Sequence, residues 1–230
     1  MSFLRQLQDG IEYFFGTGRD ASIQYDGTDM KIITDNVAAS DLVVDCGTNK
    51  TLELAEVVWD DLRTPINSSI RVSGKQPTET VYRGGVVYSF SKTSDNTIAF
   101  NVQLPHNYKL GTDIEFHVHY VLPTAGSGAG AENIKWDFTH SWADIGDAMP
   151  SETTVNTTLD MQNNSANTHY LGEIAATIDG SHTSGVSSML ICSLNRDVSV
   201  ADNYDDVVYV MEVDFHYQID TMGSRQEAVK

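Results

Sequence analysis

Four stretches of the chain alternate apolar and polar residues with a period of two, and nothing after residue 16 sustains the 3.6-residue repeat of an amphipathic helix. Ile98, Phe100, Val102 and Leu104 fall on one parity, with Asn101 and Gln103 on the other. Ile114, Phe116, Val118 and Tyr120 interleave with Asp113, Glu115, His117 and His119. Ile134, Trp136, Phe138, His140 and Trp142 interleave with Lys135, Asp137, Thr139 and Ser141. Near the end, Met211, Val213, Phe215, Tyr217 and Ile219 interleave with Glu212, Asp214, His216 and Gln218. Successive side chains of a strand point to opposite faces, so each segment has one face for a core and one for water. Leu171 to Ile178 and Ser188 to Arg196 supply further strands, and 123–131, 144–153 and 163–168 read as loops. About eight or more strands, without βαβ alternation or a long internal repeat, predict an all-β chain. The expected architecture is an antiparallel β-sandwich of the jelly-roll type.

The first quarter reads differently. Residues 3–15 (FLRQLQDGIEYFF) suit a short helix or an extended arm, and Gly10 in the middle weighs against the helix. Ala21 to Tyr25 and Met30 to Ile33 flank Asp26-Gly27 as a hairpin would. Leu42 to Asp45 and Leu52 to Leu54 flank Gly47-Thr48-Asn49-Lys50 in the same way. Hairpins this small are marginal alone in water, so the segment must lean on something else. The reading is therefore an amino-terminal arm of short β-hairpins over 1–56 and a sandwich body over 57–230. Pro65 and Ser73 to Pro77 punctuate a long loop at the start of that body. Ile23, Tyr25, Ile32, Leu42, Val44, Leu52 and Leu54 are apolar residues that such thin units cannot bury, which makes them the candidate attachment residues.

Charge narrows the partners. Thirty-two Asp and Glu against 14 Lys and Arg give a formal charge of −18. Such a surface repels phosphate backbones and anionic lipid, so neither nucleic acid nor a membrane surface is expected as a partner. No apolar stretch approaches the ~20 residues of a membrane span. The first residues lack the apolar core of a signal peptide, so synthesis in a cytoplasm is expected. Cys46 and Cys192 stand far apart without a CxxC or a nearby histidine at metal spacing, which suits two free thiols.

One segment carries candidate chemistry. Gly111 followed by His117-Val118-His119 resembles the first half of the cupin metal motif, and the two imidazoles lie on one side of a strand, where they could share an ion. Leu122-Pro123-Thr124 stands where that motif has a glutamate, and its second half is not recognisable downstream. The expectation is therefore no metal, no cofactor and no enzymatic activity. A metal-dependent, cupin-like jelly-roll enzyme built on His117 and His119 is the alternative. The plainer reading pairs this strand with the one carrying Glu212, Asp214 and His216, so that carboxylates and imidazoles face one another across the sheet. No nucleophile elbow, H-E-x-x-H or phosphate loop occurs. Trp136, Trp142, Tyr204, Tyr209 and Tyr217 suit a core better than a sugar platform.

Two sets of residues carry a resemblance. Gly16 to Asp29 (GTGRDASIQYDGTD) resembles a short β-module of phage virion and tail-fibre-associated proteins. Trp59 to Arg63, Gln103 to Asp113, Asp214 to Tyr217 and Gly223 to Glu227 together look like an uncharacterised family of bacteriophage virion structural proteins. That resemblance implies a non-enzymatic protein of the particle, made in the host bacterial cytoplasm. The role it suggests first is a capsid decoration or cement protein on the outer lattice, with the major capsid protein and copies of itself, as a homotrimer, for partners. A tail, fibre or adaptor protein of the same virion is the alternative.

Overall fold

A computed structural model describes residues 12–15, 17, 21–25, 27–28, 30–33, 53–128, 130–199 and 201–224. The chain divides into two compact units, Met1–Lys50 and Thr51–Lys230. In the first, β1 (Glu12–Phe15), β2 (Ala21–Tyr25) and β3 (Met30–Ile33) form an antiparallel sheet in the order β1-β2-β3. Gly27, at φ 97°, supplies the left-handed backbone of the turn that returns β2 to β3. Residues 12–15 are thus a strand rather than the end of a helix. The hairpin expected at Gly47-Thr48 lies outside the described residues.

The second unit begins earlier than the sequence suggested. β4 (Glu53–Pro65) pairs with the last strand from Glu53 onward, so the body takes in residues 53–56 and Pro65 closes a strand instead of opening a loop. A single 3₁₀ turn (Ile66–Ser68) leads to β5 (Ile70–Arg71). There follow β6 (Thr78–Tyr82), β7 (Gly85–Phe90), β8 (Asn96–Gln103), β9 (Ile114–Val121), β10 (Asn133–Ala143), β11 (Thr153–Asp160), β12 (His169–Ile178), β13 (Met189–Arg196) and β14 (Val208–Thr221). Arg83 and Gly84, both at positive φ, turn β6 into β7 in two residues.

The topology is that of one long folded hairpin. β7 pairs with β14, β8 with β13, β9 with β12 and β10 with β11, all antiparallel. Rolling that double ribbon brings β14 beside β9 and β13 beside β10. Two sheets result, β11-β10-β13-β8-β5 and β12-β9-β14-β7-β6, with β4 added alongside β14. This is the jelly roll, two interlocked Greek keys closed into a sandwich. The second edge of β14 is shared, because Val208 to Val210 pair with β7 and Glu212 to Thr221 pair with β4.

The apolar parities meet between the sheets. Phe116 of β9 stacks on Phe138 of β10 with centroids 4.0 Å apart, and Phe215 of β14 tilts against Phe116 at 5.0 Å. Phe90 of β7 meets Trp136 edge-on at 5.2 Å. Ile98, Phe100, Val102, Leu104, Ile114, Val118, Ile134 and Val213 are buried with them, as the alternation requires. Met211 departs from its expected face. A β-bulge between Val210 and Glu212 shifts the parity, so Val208 and Val210 are buried before it and Val213, Phe215 and Tyr217 after it. His140 likewise is only half buried.

Candidate functional site

Two surfaces gather the residues that sequence reasoning singled out. The first is one face of the amino-terminal sheet. Tyr13 of β1 stands opposite Ile23 of β2, which stands opposite Ile32 of β3. One step along, Tyr25 stands opposite Met30. Directly paired residues, and those two apart on a strand, project to the same side. All five side chains therefore share a face, and all five are exposed, from 37% at Ile23 to 75% at Met30. On the other face Ser22 is fully buried and its hydroxyl donates to the Glu12 carboxylate.

Of the residues expected to attach, Ile23, Tyr25 and Ile32 are brought together here. Leu42, Val44 and Leu52 lie outside the described residues, and Leu54 belongs to β4 of the body. Sequence reasoning missed Tyr13 and Met30. Reading 12–15 as a strand would have put Tyr13 in the row, and the parity of Met30 with Ile32 was available.

The second surface is the outer face of the sheet containing β12, β9, β14 and β4. Its rows follow from the register. Glu115 pairs with His216 and His216 with Asp61. In the next row Glu173, His117, Asp214 and Arg63 stand side by side, and beyond them His119 faces Glu212. The pairing expected between the β9 and β14 polar faces is thus present. Because Phe116 and Val118 fill the interior, His117 and His119 point away from the space between the sheets. Nor do they share a focus. His119 turns Nε2 to Asp214 Oδ1 at 3.3 Å and Nδ1 to His169 Nε2 at 2.8 Å.

His117 turns the other way along the strand. Its Nδ1 lies 3.9 Å from Asp214 Oδ2, and its Nε2 lies 3.6 Å from Glu115 Oε2. His216 directs Nδ1 to the same Glu115 oxygen at 3.8 Å and Nε2 to Asp61 Oδ1 at 3.1 Å. The Asp214 carboxylate holds the His117 pKa above the ordinary histidine value, an effect that burial opposes and Glu115 and Glu173 reinforce. Asp214 is itself almost completely buried, with one carboxylate oxygen toward each of the two imidazoles. Arg63 caps the end of the row with a two-pronged contact to Glu212, at 2.5 and 2.6 Å. Beside it a depression of about 410 Å³ is lined by Asp61, Arg63, His119, His169, Met211, Glu212 and Asp214. Imidazole nitrogens and carboxylate oxygens at these separations can hold a cation or exchange protons.

No family model matches the sequence, and no curated protein matches it. Solved structures with some likeness include one of infectious bursal disease virus, Gx strain, at 12% identity and a TM-score of 0.33. That alignment covers 86% of this chain and 41% of the viral one, so the chain spans about two fifths of its length. A carbohydrate-binding module specific for non-crystalline cellulose is 10% identical with a TM-score of 0.31, over 69% of this chain and 89% of the module. The insecticidal delta-endotoxin Cry8Ea1 of Bacillus thuringiensis is 12% identical with a TM-score of 0.31, over 89% of this chain and 30% of the toxin.

Proposed function

We propose that the chain is a non-enzymatic structural protein of a bacteriophage particle, a decoration protein whose amino-terminal sheet docks on the outer capsid lattice. The observation that carries this reading is the apolar face of β1-β2-β3, where Tyr13, Ile23, Tyr25, Met30 and Ile32 are exposed together. Fully burying a side chain of this kind contributes roughly 1.5–3 kcal/mol, so five in one patch give a strong drive to be covered. The major capsid protein is the partner this reading assigns to the patch. The net charge of −18 suits a surface turned away from packaged nucleic acid. Copies associate as a trimer through the sandwich, whose sheets end in the edge strands β11, β5, β12 and β6. The resemblance of Gly16 to Asp29 to a tail-fibre module supports a second reading, in which the same face docks on a tail or adaptor protein of the virion.

The test uses the whole chain. Tyr25→Asp with Ile32→Asp puts two charges on the apolar face and leaves the sequence of the body unchanged. Added to phage heads lacking the protein, the wild-type chain should bind to saturation and the double variant should bind at least about tenfold more weakly. Equal binding by both would remove the face from the mechanism.

A further inference from the structure

The outer face of the β9–β14 pair has a geometry that docking by the arm does not use. Glu115, His117 and His216 each offer one ligand atom within 4.8 Å of the other two, and Glu115 Oε2 faces both His117 Nε2 and His216 Nδ1. Two of the three separations are 3.6 and 3.8 Å. Zinc–nitrogen and zinc–oxygen bonds of about 2.0–2.1 Å put tetrahedral ligands about 3.3 Å apart, so a closure of a few tenths of an ångström would bring these two contacts to that spacing.

The surroundings of the two histidines point the same way. A metal-bound imidazole characteristically presents its other nitrogen to a carboxylate, which fixes the tautomer and aims the free lone pair. His216 has Asp61 in that position at 3.1 Å, and His117 has Asp214 at 3.9 Å. The Asp214 side chain is 4% exposed and lies between His117 and His119, so it is held by the protein rather than by water. Glu173, opposite His117 in the register, adds further negative charge beside the triad.

We propose that Glu115, His117 and His216 form a three-ligand site for a divalent transition-metal ion of the zinc type. Asp214 and Asp61 orient its histidines, and the remaining coordination position opens outward from the sandwich. The ligand set differs from the His117/His119 chelate suggested by strand spacing, because His119 is committed to Asp214 and His169. Bridging β9 to β14, the ion ties adjacent strands of one sheet, and its open position can take a water or a ligand from another molecule. The inference is independent of where the protein sits in a particle.

The experiment titrates chelator-treated, full-length protein with Zn²⁺ by calorimetry, and with Co²⁺ by visible absorption. The expected result is one ion per chain and, for Co²⁺, the intense visible bands of a four- or five-coordinate site. Glu115→Gln and His216→Ala should each weaken Zn²⁺ binding about 100-fold, and Asp61→Asn about 10- to 100-fold. His182→Ala, at an exposed position in the loop between β12 and β13, should leave binding within about twofold. His216 is partly exposed, so its substitution tests the site without threatening the fold, and circular dichroism of each variant verifies this. Absence of stoichiometric binding, unchanged affinity in His216→Ala, or loss of binding in His119→Ala with His216→Ala unaffected would each overturn the proposal.

Discussion

Arg196 ends β13 with its side chain fully buried, and the side chain of its partner Asp202 is 1% exposed. Its donors are all engaged. Nε reaches Asp202 Oδ2 at 2.8 Å and Nη2 reaches Asp202 Oδ1 at 2.9 Å. Nη2 also donates to the Tyr204 carbonyl at 3.1 Å, while Nη1 donates to the carbonyls of Phe90 and Asp206 at 3.1 and 2.8 Å. The side chain therefore pins the end of β7 and the approach to β14 to the end of β13. In Arg196→Met, the Asp202 carboxylate would stay buried with the Lys135 amide, at 3.2 Å, still donating to it. Removing one partner of a buried ion pair costs about 3–5 kcal/mol, a large part of the ~5–15 kcal/mol that holds a domain together. With a urea slope of at most about 3 kcal/mol per M, the unfolding midpoint should fall by about 1 M or more. Trp59, Trp136 and Trp142 all lie in the body, so their fluorescence reports its unfolding. Lys75→Met, which removes a half-exposed pair with Asp95, is the control and should cost under about 1 kcal/mol. Adding Asp202→Leu to Arg196→Met should recover part of the loss, since the stranded charge goes with it. A midpoint for Arg196→Met equal to that of Lys75→Met would mean that the buried pair holds the fold no better than an exposed one.

Three further outcomes follow from the body. Gly180→Ala would drive a Cβ into the Thr112 carbonyl and to 2.5 Å from the Tyr108 hydroxyl, so thermal unfolding should show a loss of roughly 1–3 kcal/mol. Burial pushes the Cys192 thiol well above its ordinary range, so in a Cys46→Ser background a thiol reagent should label it only after unfolding. Burial lowers the His140 pKa, so below about 6.5 the unfolded chain takes up a proton that the folded chain declines. Stability from this group should therefore fall as pH drops below about 6.5, and denaturation of His140→Gln at several pH values should show a shallower decline than wild type.

What could be read from the sequence was what repeats along a strand. The parities of Ile98 to Leu104, Ile114 to Tyr120 and Ile134 to Trp142 set the faces of β8, β9 and β10 because each is half covered by the opposite sheet. The turn at Gly27 was legible because its chemistry is local. β11 was not, since an edge strand reading TTVNTTLD has a thin apolar parity at Val155 and Leu159. The hairpin at Arg83-Gly84 went unread, although two glycines in succession flag a turn there. The bulge at Met211 has no signature in composition, and it reversed that residue's face. At the candidate sites, pairing between the β9 and β14 polar faces followed from alternation. The convergence of Glu115, His117 and His216 did not, because it depends on which way each imidazole rotates toward its carboxylate. Arg196 and Asp202 meet across a loop, and nothing in the spacing of six residues marks them as a buried pair.

The decoration role proposed for the chain requires its amino-terminal sheet to lie against a phage head. A cryo-electron microscopy reconstruction of whole particles, at a resolution that traces strands, tests it most directly. The expected density is the jelly roll on the outside of the head shell, with Tyr13, Ile23, Tyr25, Met30 and Ile32 against the capsid lattice. Particles with no such density on the head, or with that face turned to solvent while the sandwich makes the contact, would contradict it.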